Sequence, residues 1–241
     1  MKTIALYAPS FWNVQRFELP PQTLAVVIDV LRATSTMVAA LSNGVQWISP
    51  VANIEKAFSI RNLSPSVKLA GEKGGGRIEG FDFGNSPQEF LGTPFLNFEL
   101  AMFTTNGTKA FLATMSAQEV IAASFLNLEV VIEKVSQWNG PVAYFCAGTG
   151  ADFSLEDAIV AGAIIDRVDP DHPLASLYRF SKNDLPQAFR NSKNGANLVK
   201  IGLESDIDLC LQRNRFPVLP YFDFTQGLID LSAKSNKKEK R

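Results

Sequence analysis

The sequence contains few cysteines, few histidines and little net charge, and each scarcity excludes a class of protein. Two cysteines, Cys146 and Cys210, among 241 residues do not make a disulfide framework, and Cys146 lies in the apolar run VAYFCAG, so we expect reduced thiols in a cytoplasmic protein. The sole histidine, His172, lies in the turn-like segment DPDHPL, so a histidine nucleophile or a histidine-rich zinc site is not expected. A formal net charge of -1 gives no global field that would attract nucleic acid or an acidic membrane.

Long apolar runs are also absent. No run approaches the roughly 18 residues that are needed to cross a bilayer. The first residues, MKTIALYAPSFW, contain too short an apolar stretch for a signal peptide and instead predict a first strand. The one basic cluster follows the last apolar run, where we expect a solvated end: Lys234, Lys237, Lys238, Lys240 and Arg241. We therefore predict no membrane and no nucleic acid among the partners of this chain.

Several signatures of phosphate chemistry are missing. Leu31 occupies the place of the second aspartate in a D-x-D motif that would begin at Asp29. Neither cysteine is followed six residues later by an arginine, because those positions hold Asp152 and Phe216. There is no G-x-x-x-x-G-K-[ST] loop. These absences exclude the commonest nucleotide-binding and phosphatase motifs.

Short apolar runs alternate with helical patterns in a composition that is 46% hydrophobic and 20% charged, which is typical of a globular protein. Strands are predicted at Leu24–Asp29, Val45–Ser49, Lys68–Glu72, Glu99–Thr105, Glu119–Ser124, Pro141–Cys146 and Val218–Phe222. Helices are predicted over Thr34–Asn43, Asn53–Arg61, Thr108–Met115 and Leu126–Trp138, and after Ser154. This alternation predicts an α/β fold of layered α/β/α type with a mainly parallel or mixed central sheet. We expect one domain over residues 1–241, with a less regular C-terminal lobe from about residue 170.

Small or polar groups follow each apolar run. In open parallel sheets, ligands bind beyond the carboxyl ends of the strands, where loops and helix N-termini converge. The strand ends here carry Asp29, Glu72, Thr104–Asn106, Ser124 and Cys146–Thr149. We therefore expect several of these side chains to reach one crevice.

Asp29 and Arg32 follow the first buried strand at close spacing. A carboxylate there can hold a hard cation such as Mg²⁺, while an arginine can grip an oxyanion with two hydrogen bonds. The alternative is an Asp–Arg pair that only orders the turn.

The segment GEKGGGRIEGFDFGNSP, residues Gly71 to Pro87, is the most unusual stretch. Six of the sixteen glycines lie between Gly71 and Gly84. Glycine allows backbone amides to approach a ligand, basic side chains suit phosphate, and acidic ones suit an accompanying metal. The charged residues of the segment are Glu72, Lys73, Arg77, Glu79 and Asp82. Its length favours a lid or binding loop over a plain flexible surface loop.

Two helix starts carry weaker signals. Thr105-Asn106-Gly107-Thr108 predicts a tight turn before a helix, whose free amides can face an anion or can be purely structural. Asp157, near the start of the helix after Ser154, favours the helix dipole whatever its function, and a metal-binding role is a weaker alternative.

Six segments in order resemble the 2-phosphosulfolactate phosphatase family: VVIDVLRATSTM, AGEKGGGRIEGFDFGNSP, TTNGT, SFLN, CAGT and FSLEDAIVAG. The resemblance covers about residues 24–165, and continues more faintly over Gly202 to Pro217. It implies a Mg²⁺-dependent phosphatase that converts 2-phospho-3-sulfolactate into 3-sulfolactate, a step towards coenzyme M. Two alternatives stay open, namely a phosphatase of another small 2-phospho acid and a non-catalytic anion-binding domain of the same fold.

The residue patterns and the resemblance together assign candidate roles. The expected catalytic residues are Asp29, Arg32, Glu72 and Asn106. The expected metal ligands are Asp29, Glu72, Asp82 and, as a weaker candidate, Asp157. The expected substrate-binding residues are Lys73, Arg77, Asn85, Ser86, Thr105, Gly107, Thr108, Gly148 and Thr149. We expect a water nucleophile first, Asp29 second and Cys146 third; a homodimer is expected only because dimers are frequent among cytosolic enzymes.

Overall fold

A computed structural model describes residues 3–7, 18–92, 94–95, 98–150, 152–223, 225 and 227–230. The strands are β1 Thr3–Tyr7, β2 Leu24–Ile28, β3 Val45–Pro50, β4 Lys68–Lys73, β5 Gly76–Arg77, β6 Phe98–Phe103, β7 Glu119–Ala123, β8 Val142–Cys146, β9 Pro220–Asp223 and β10 Gly227–Asp230. The helices are α1 Ala33–Ser42, α2 Ile54–Leu63, α3 Gly107–Ala113, α4 Leu128–Ser136, α5 Leu155–Val168, α6 Pro173–Ser181, α7 Leu185–Asn191, α8 Lys193–Lys200 and α9 Glu204–Cys210. The layered α/β prediction is confirmed, and each predicted strand and helix corresponds to one of these elements.

The sheet is mixed, with the order β1-β8-β2-β7-β9-β10-β3-β6-β4-β5 in the described part of the chain. Its first four strands are parallel to one another, and so are β3, β6 and β4. The antiparallel hairpin β9–β10 lies between these two groups and pairs with β7 on one side and β3 on the other. The two parallel groups therefore run in opposite directions, which the strand–helix alternation alone did not predict.

The strands β2, β7 and β8 are buried on both faces, as their uninterrupted apolar runs predict. Val26 and Ile28 of β2 pack in a core that includes residues of α4 and α5, whereas Ala25 and Val27 pack in a second core around α1. Side chains alternate between the faces of a strand, so one apolar strand serves both cores.

Helix α1 is buried along its length from Ala33 to Leu41. Its core contains Met37 together with Val27 of β2 and Ala70 and Met102 of the other parallel group. Both groups of strands thus pack on the same helix. Although the two groups run in opposite directions, Asp29 after β2, Glu72 in β4 and Thr105 after β6 line one cavity.

The C-terminal part is more regular than predicted, because residues 173–210 form the four short helices α6 to α9. Pro173 and Pro186 lie in the first turns of α6 and α7, where a proline lacks only an amide that would be unpaired anyway. These two prolines therefore mark helix starts within the segment that was expected to be less regular. The basic tail lies outside the described residues, and among the described helices none has the length and apolarity to cross a membrane.

Candidate active site

Strand ends of both parallel groups surround one cavity of about 270 Å³. We call it the carboxylate pocket, after Asp29 beyond β2 and Glu72 near the end of β4. Its lining residues are Asp29, Leu31, Arg32, Glu72, Gly74, Gly75, Asn85, Thr105, Asn106, Thr149, Gly150, Asn194, Asn197 and Leu198. The structure thus brings together most of the polar strand ends that the sequence singles out; Ser124 instead bonds locally with Asn127.

Asp29 is 5% exposed and lies at the base of this pocket. Burial, and after it the charge of Glu72, raises the pKa of the Asp29 carboxyl from 3.8 to about 7. Gly107 at the start of α3 makes this packing feasible, because a Cβ there would lie 2.8 Å from Asp29 Oδ2 and 2.7 Å from the Ala33 Cβ. The role of Gly107 is therefore to let α3 approach the carboxylate closely.

Glu72 connects the two loops that border the pocket. Its Oε1 accepts a hydrogen bond from the Thr105 N–H (2.8 Å), and its Oε2 accepts one from the Gly75 N–H (2.7 Å). Each oxygen retains a second lone-pair direction, so the carboxylate can accept further ligands. Glu72 consequently holds the glycine-rich segment against the turn that follows β6.

Arg32 is buried and does not pair with Asp29, which was one of the two contacts that its spacing suggested. Its Nη1 donates to Asp206 Oδ2 of α9 (2.7 Å), and its Nη2 donates to the Gly75 carbonyl (2.8 Å). Ser86 Oγ donates to the other Asp206 oxygen (2.6 Å). The partner of the guanidinium is thus Asp206 and not Asp29, and the remaining N–H groups of Arg32 are those available to the pocket.

Three oxygens of the pocket lining are buried and accept or donate no hydrogen bond within the described structure: Asn85 Oδ1, Thr105 Oγ1 and Thr149 Oγ1. Buried polar atoms are nearly always paired, so unpaired ones around a cavity indicate a ligand, an ion or water. Two carboxylates and neutral oxygens also match Mg²⁺, which takes one or two carboxylates and keeps several waters. No cluster of three or more His, Cys, Asp or Glu side chains suited to a metal occurs in the described ranges, so the fit rests on this two-carboxylate set.

Asp82 and Asp157, the other expected metal ligands, do not line the pocket. Asp82 accepts the Leu69 N–H (2.9 Å) and lies 3.5 Å from Lys68 Nζ, at the outer side of β4. Asp82 therefore orders the segment that follows β5 and does not lie with Asp29 at the pocket.

Asp157 lies beneath the pocket and holds two turns together. Its Oδ1 accepts the Val30 N–H (2.9 Å) and its Oδ2 accepts the Gly148 N–H (3.2 Å). Burial, followed by the charges of Asp29 and Glu156, raises the pKa of Asp157 well above its ordinary value. The carboxylate therefore positions the turns after β2 and β8, which corrects the expectation of a metal ligand.

Cys146 and His172, which were considered as nucleophiles, do not line the pocket. Cys146 is fully buried, and burial, followed by the charges of Asp157 and Glu156, raises the pKa of its thiol well above the ordinary value. A thiol that resists ionisation is a poor nucleophile. His172 caps α6, where its Nδ1 accepts the Leu174 N–H (3.2 Å).

Apart from Gly107, which lines neither pocket and packs against Asp29 as described above, the expected substrate-binding residues divide into three sets. Thr105, Thr149 and Asn85 line the carboxylate pocket, as does Asn106, whose Oδ1 accepts the Gly150 N–H (3.3 Å). Others line a second cavity of about 550 Å³, the basic pocket, and these are Lys73, Arg77 and Ser86. The basic pocket shares Arg32, Gly74, Gly75 and Asn85 with the carboxylate pocket, so the two adjoin.

Thr108 and Gly148 form the third set, and they have structural contacts only. Thr108 Oγ1 donates to the Thr104 carbonyl (2.8 Å), and the Gly148 N–H binds Asp157. Neither residue lines either pocket.

Helix α8 lines one side of the carboxylate pocket, which the sequence pattern did not predict. Asn194, Asn197 and Leu198 line the carboxylate pocket, and Ile201, just after the helix, lines the basic pocket. These positions follow the spacing i, i+3, i+4 and i+7, which is one face of a helix. Two asparagines on the same face as two apolar residues are the signal that could have identified it.

The chain is similar to one known family of proteins over most of its length. A family model described as 2-phosphosulpholactate phosphatase matches residues 14–224. Similar proteins, each named a probable 2-phosphosulfolactate phosphatase, occur in Thermotoga maritima (37% identity, 81% of this chain and 87% of the relative) and Caldicellulosiruptor saccharolyticus (38%, 79% and 85%). A third, from Symbiobacterium thermophilum, is 36% identical over 86% of this chain and 94% of its own length.

Proposed function

Because the chain belongs to the 2-phosphosulpholactate phosphatase family, we propose that it hydrolyses 2-phospho-3-sulfolactate to 3-sulfolactate and phosphate. The observation that carries this proposal is the carboxylate pocket, where two buried carboxylates and three unpaired oxygens surround one cavity. In an organism that makes coenzyme M, the product would be an intermediate on the way to it.

The proposed cofactor is Mg²⁺, held by Asp29 and Glu72. Unpaired neutral oxygens, such as Asn85 Oδ1 and Thr105 Oγ1, would complete the donor set together with water. When bound, the ion would supply a Lewis acid that withdraws negative charge from the phosphoryl group. It would also offset the repulsion that the two carboxylates exert on an anionic substrate.

The remaining lining groups would orient the phosphate. Hydroxyls of Thr105 and Thr149, the Asn106 amide and the free N–H groups of Arg32 are donors at the pocket surface.

We propose water as the nucleophile, attacking phosphorus opposite the leaving oxygen, because Cys146 is buried and cannot readily ionise. Asp29 as a covalent nucleophile is the alternative, and an acid-quenched reaction would then contain phosphorylated protein in an intact-mass spectrum.

A phosphate-release assay tests the function. We expect wild type to release phosphate from 2-phosphosulfolactate in Mg²⁺ and to lose that activity in EDTA. Asp29→Asn and Glu72→Gln each remove one of the two carboxylates that would hold Mg²⁺ beside the phosphate. Each should lower kcat by about 10²-fold or more. Asp82→Asn is the matched control, because that carboxylate lies outside both pockets, and it should retain activity within about twofold.

Two outcomes would contradict parts of this proposal. A wild-type protein with no turnover on 2-phosphosulfolactate or related 2-phospho acids would favour a non-catalytic anion-binding domain. Activity that persists in EDTA would exclude the metal. A cytoplasmic location, favoured by the two free cysteines, and a homodimer stay predictions.

A further inference from the structure

The charges around the two adjoining pockets are unevenly distributed. The carboxylate pocket contains Asp29 and Glu72, and among its described lining residues Arg32 is the one cation, which already pairs with Asp206. The basic pocket contains Lys73 and Arg77 and one carboxylate, Glu89, whose two oxygens both accept the Gly84 N–H (3.1 and 3.0 Å). Lys73 has no ion-pair partner within the described part of the chain. The carboxylates of Asp29 and Glu72 would therefore repel the acid groups of a substrate that carries several of them. The phosphate is the exception, because the proposed cofactor would neutralise its charge.

Helix α8 lies along the boundary of the two pockets. Asn197 lines the carboxylate pocket and Ile201 lines the basic pocket, and both lie against Gly75, which borders both cavities. A Cβ added at Gly75 would lie 3.2 Å from Asn197 Nδ2 and 3.0 Å from Ile201 Cδ1. The Asn197 amide consequently reaches the place where a substrate would pass from one pocket into the other.

A capping residue and close contacts with α7 hold helix α8 in place. Ser192 caps the helix by accepting the Gly195 N–H (3.1 Å), and a Cβ at Gly195 would lie 1.8 Å from the Phe189 carbonyl oxygen, so α7 and α8 meet in close contact. Arg190 of α7 pairs with Glu204 and Asp208 of α9. The backbone that carries these asparagines is therefore held in place before a ligand arrives, so binding does not have to order the helix.

Amide side chains suit an acid group at this boundary. Each asparagine offers two N–H donors without a charge, so it can bind carboxylate or sulfonate oxygens and adds nothing to the field of the neighbouring carboxylates. Asn194, one turn before Asn197, lines the same pocket and lies beside the buried Glu156 carboxylate, which limits the freedom of its amide.

We propose that the α8 face, Asn197 together with Asn194, is the specificity-determining wall for the acid end of the substrate. Its amide N–H groups bind the carboxylate or sulfonate oxygens that lie beyond the phosphate, and Lys73 and Arg77 neutralise the same end from the basic pocket. This inference rests on the proposed function, but it concerns affinity for the acid end and can be tested without turnover.

Isothermal titration calorimetry with two probes tests the proposal. The product 3-sulfolactate carries only the acid end, and inorganic phosphate carries only the other end. Asn197→Asp keeps the shape of the side chain but replaces donors with a negative charge, so affinity for 3-sulfolactate should fall about tenfold or more while affinity for phosphate changes less than about twofold. Asn197→Ala should give a smaller loss, and Asn194→Asp the same selective pattern.

The matched control is Asn191→Asp on α7, an exposed asparagine whose Oδ1 accepts the Gln187 Nε2 and which lines neither pocket. It should leave both affinities unchanged. In kinetic assays, Asn197→Asp should raise KM for 2-phosphosulfolactate with little change in kcat.

Equal losses for phosphate and 3-sulfolactate would indicate a merely structural role and overturn the proposal, as would 3-sulfolactate affinities within twofold of wild type in both aspartate variants. A wild type that binds both probes without releasing phosphate would refute the proposed function alone, because the selective loss would still support the α8 wall.

Discussion

Asp29 shows that the chemistry of a residue depends on what packs against it. Its place after a buried strand was enough to predict a functional carboxylate, but its raised pKa comes from burial and from Glu72, which is distant in sequence. Asp82 and Asp157 have the same functional group, in the loop after β5 and in the first turn of α5. Because backbone N–H groups of other segments occupy their oxygens, they have structural positions instead.

The Asp29 pKa predicts how stability changes with pH in the metal-free protein. Between about pH 4 and pH 7 the folded protein holds a proton on Asp29 that the unfolded chain releases, because the folded pKa is about 7 and the ordinary value is 3.8. The free energy of unfolding should therefore fall as the pH rises through this window, by at most about 1.4 kcal/mol per pH unit for this group, and level off above it.

Urea unfolding in EDTA at pH 5, 6, 7 and 8 would measure this dependence. Asp29→Asn cannot release the proton, so its decline should be shallower than that of wild type, with the remainder contributed by Asp157 and Glu156, whose pKa values burial also raises. Asp82→Asn serves as the control and should keep the wild-type slope. Identical slopes for wild type and Asp29→Asn would show that Asp29 is already ionised in the folded protein.

At the level of elements, the positions of strands and helices followed from periodicity, whereas contacts between strands did not. Strand β4 illustrates the difference. Gly71 has φ +147°, and a Cβ there would lie 1.9 Å from the Phe103 carbonyl oxygen of β6. Gly76, in the same glycine-rich segment, has nothing within 4 Å of its Cβ position and no positive φ. The glycines of one segment thus have different roles, which composition alone could not separate.

Alanine substitutions should distinguish the two glycines. Gly71→Ala forces β4 away from β6 and should destabilise the protein by about 3 kcal/mol or more, since neither backbone can move freely. Gly76→Ala should be neutral or stabilise by up to about 1 kcal/mol, because alanine reduces the entropy of the unfolded chain. Urea midpoints of the two variants provide the measurement, and equal losses would contradict the close approach at Gly71.

At the level of the whole molecule, the C-terminal helices complete the site that the sheet begins. Asp206 of α9 binds Arg32, 174 residues earlier in the chain, and Ser86 of the glycine-rich segment. This buried contact joins α9, the turn after β2 and the segment after β4. Segments that lie far apart in the chain consequently enclose the pocket together.

Asp206→Ala should destabilise the whole protein by about 3–5 kcal/mol, because it leaves the buried Arg32 guanidinium without its counter-charge. The ion pairs of Arg190 with Glu204 and Asp208 are partly exposed, so Arg190→Ala should cost much less even though two pairs are lost. Urea unfolding followed by far-UV circular dichroism compares the two variants. A larger loss for Arg190→Ala would show that the surface pairs, and not the buried contact, hold α9.

The sequence by itself determined the layered α/β class, the order of most strands and helices before about residue 170 and the polar character of the strand ends, because these depend on short-range periodicity, capping and turn chemistry. It also placed Asp29, Glu72 and Asn106 among the candidates, and all three line the carboxylate pocket. Only the tertiary structure decided that the two parallel groups of strands run in opposite directions, that Arg32 pairs with Asp206, and that α8 forms a wall of the pocket. Those features depend on contacts between segments far apart in the chain. Even where a local pattern exists, as on the face of α8, the pattern does not say which segment the face will meet.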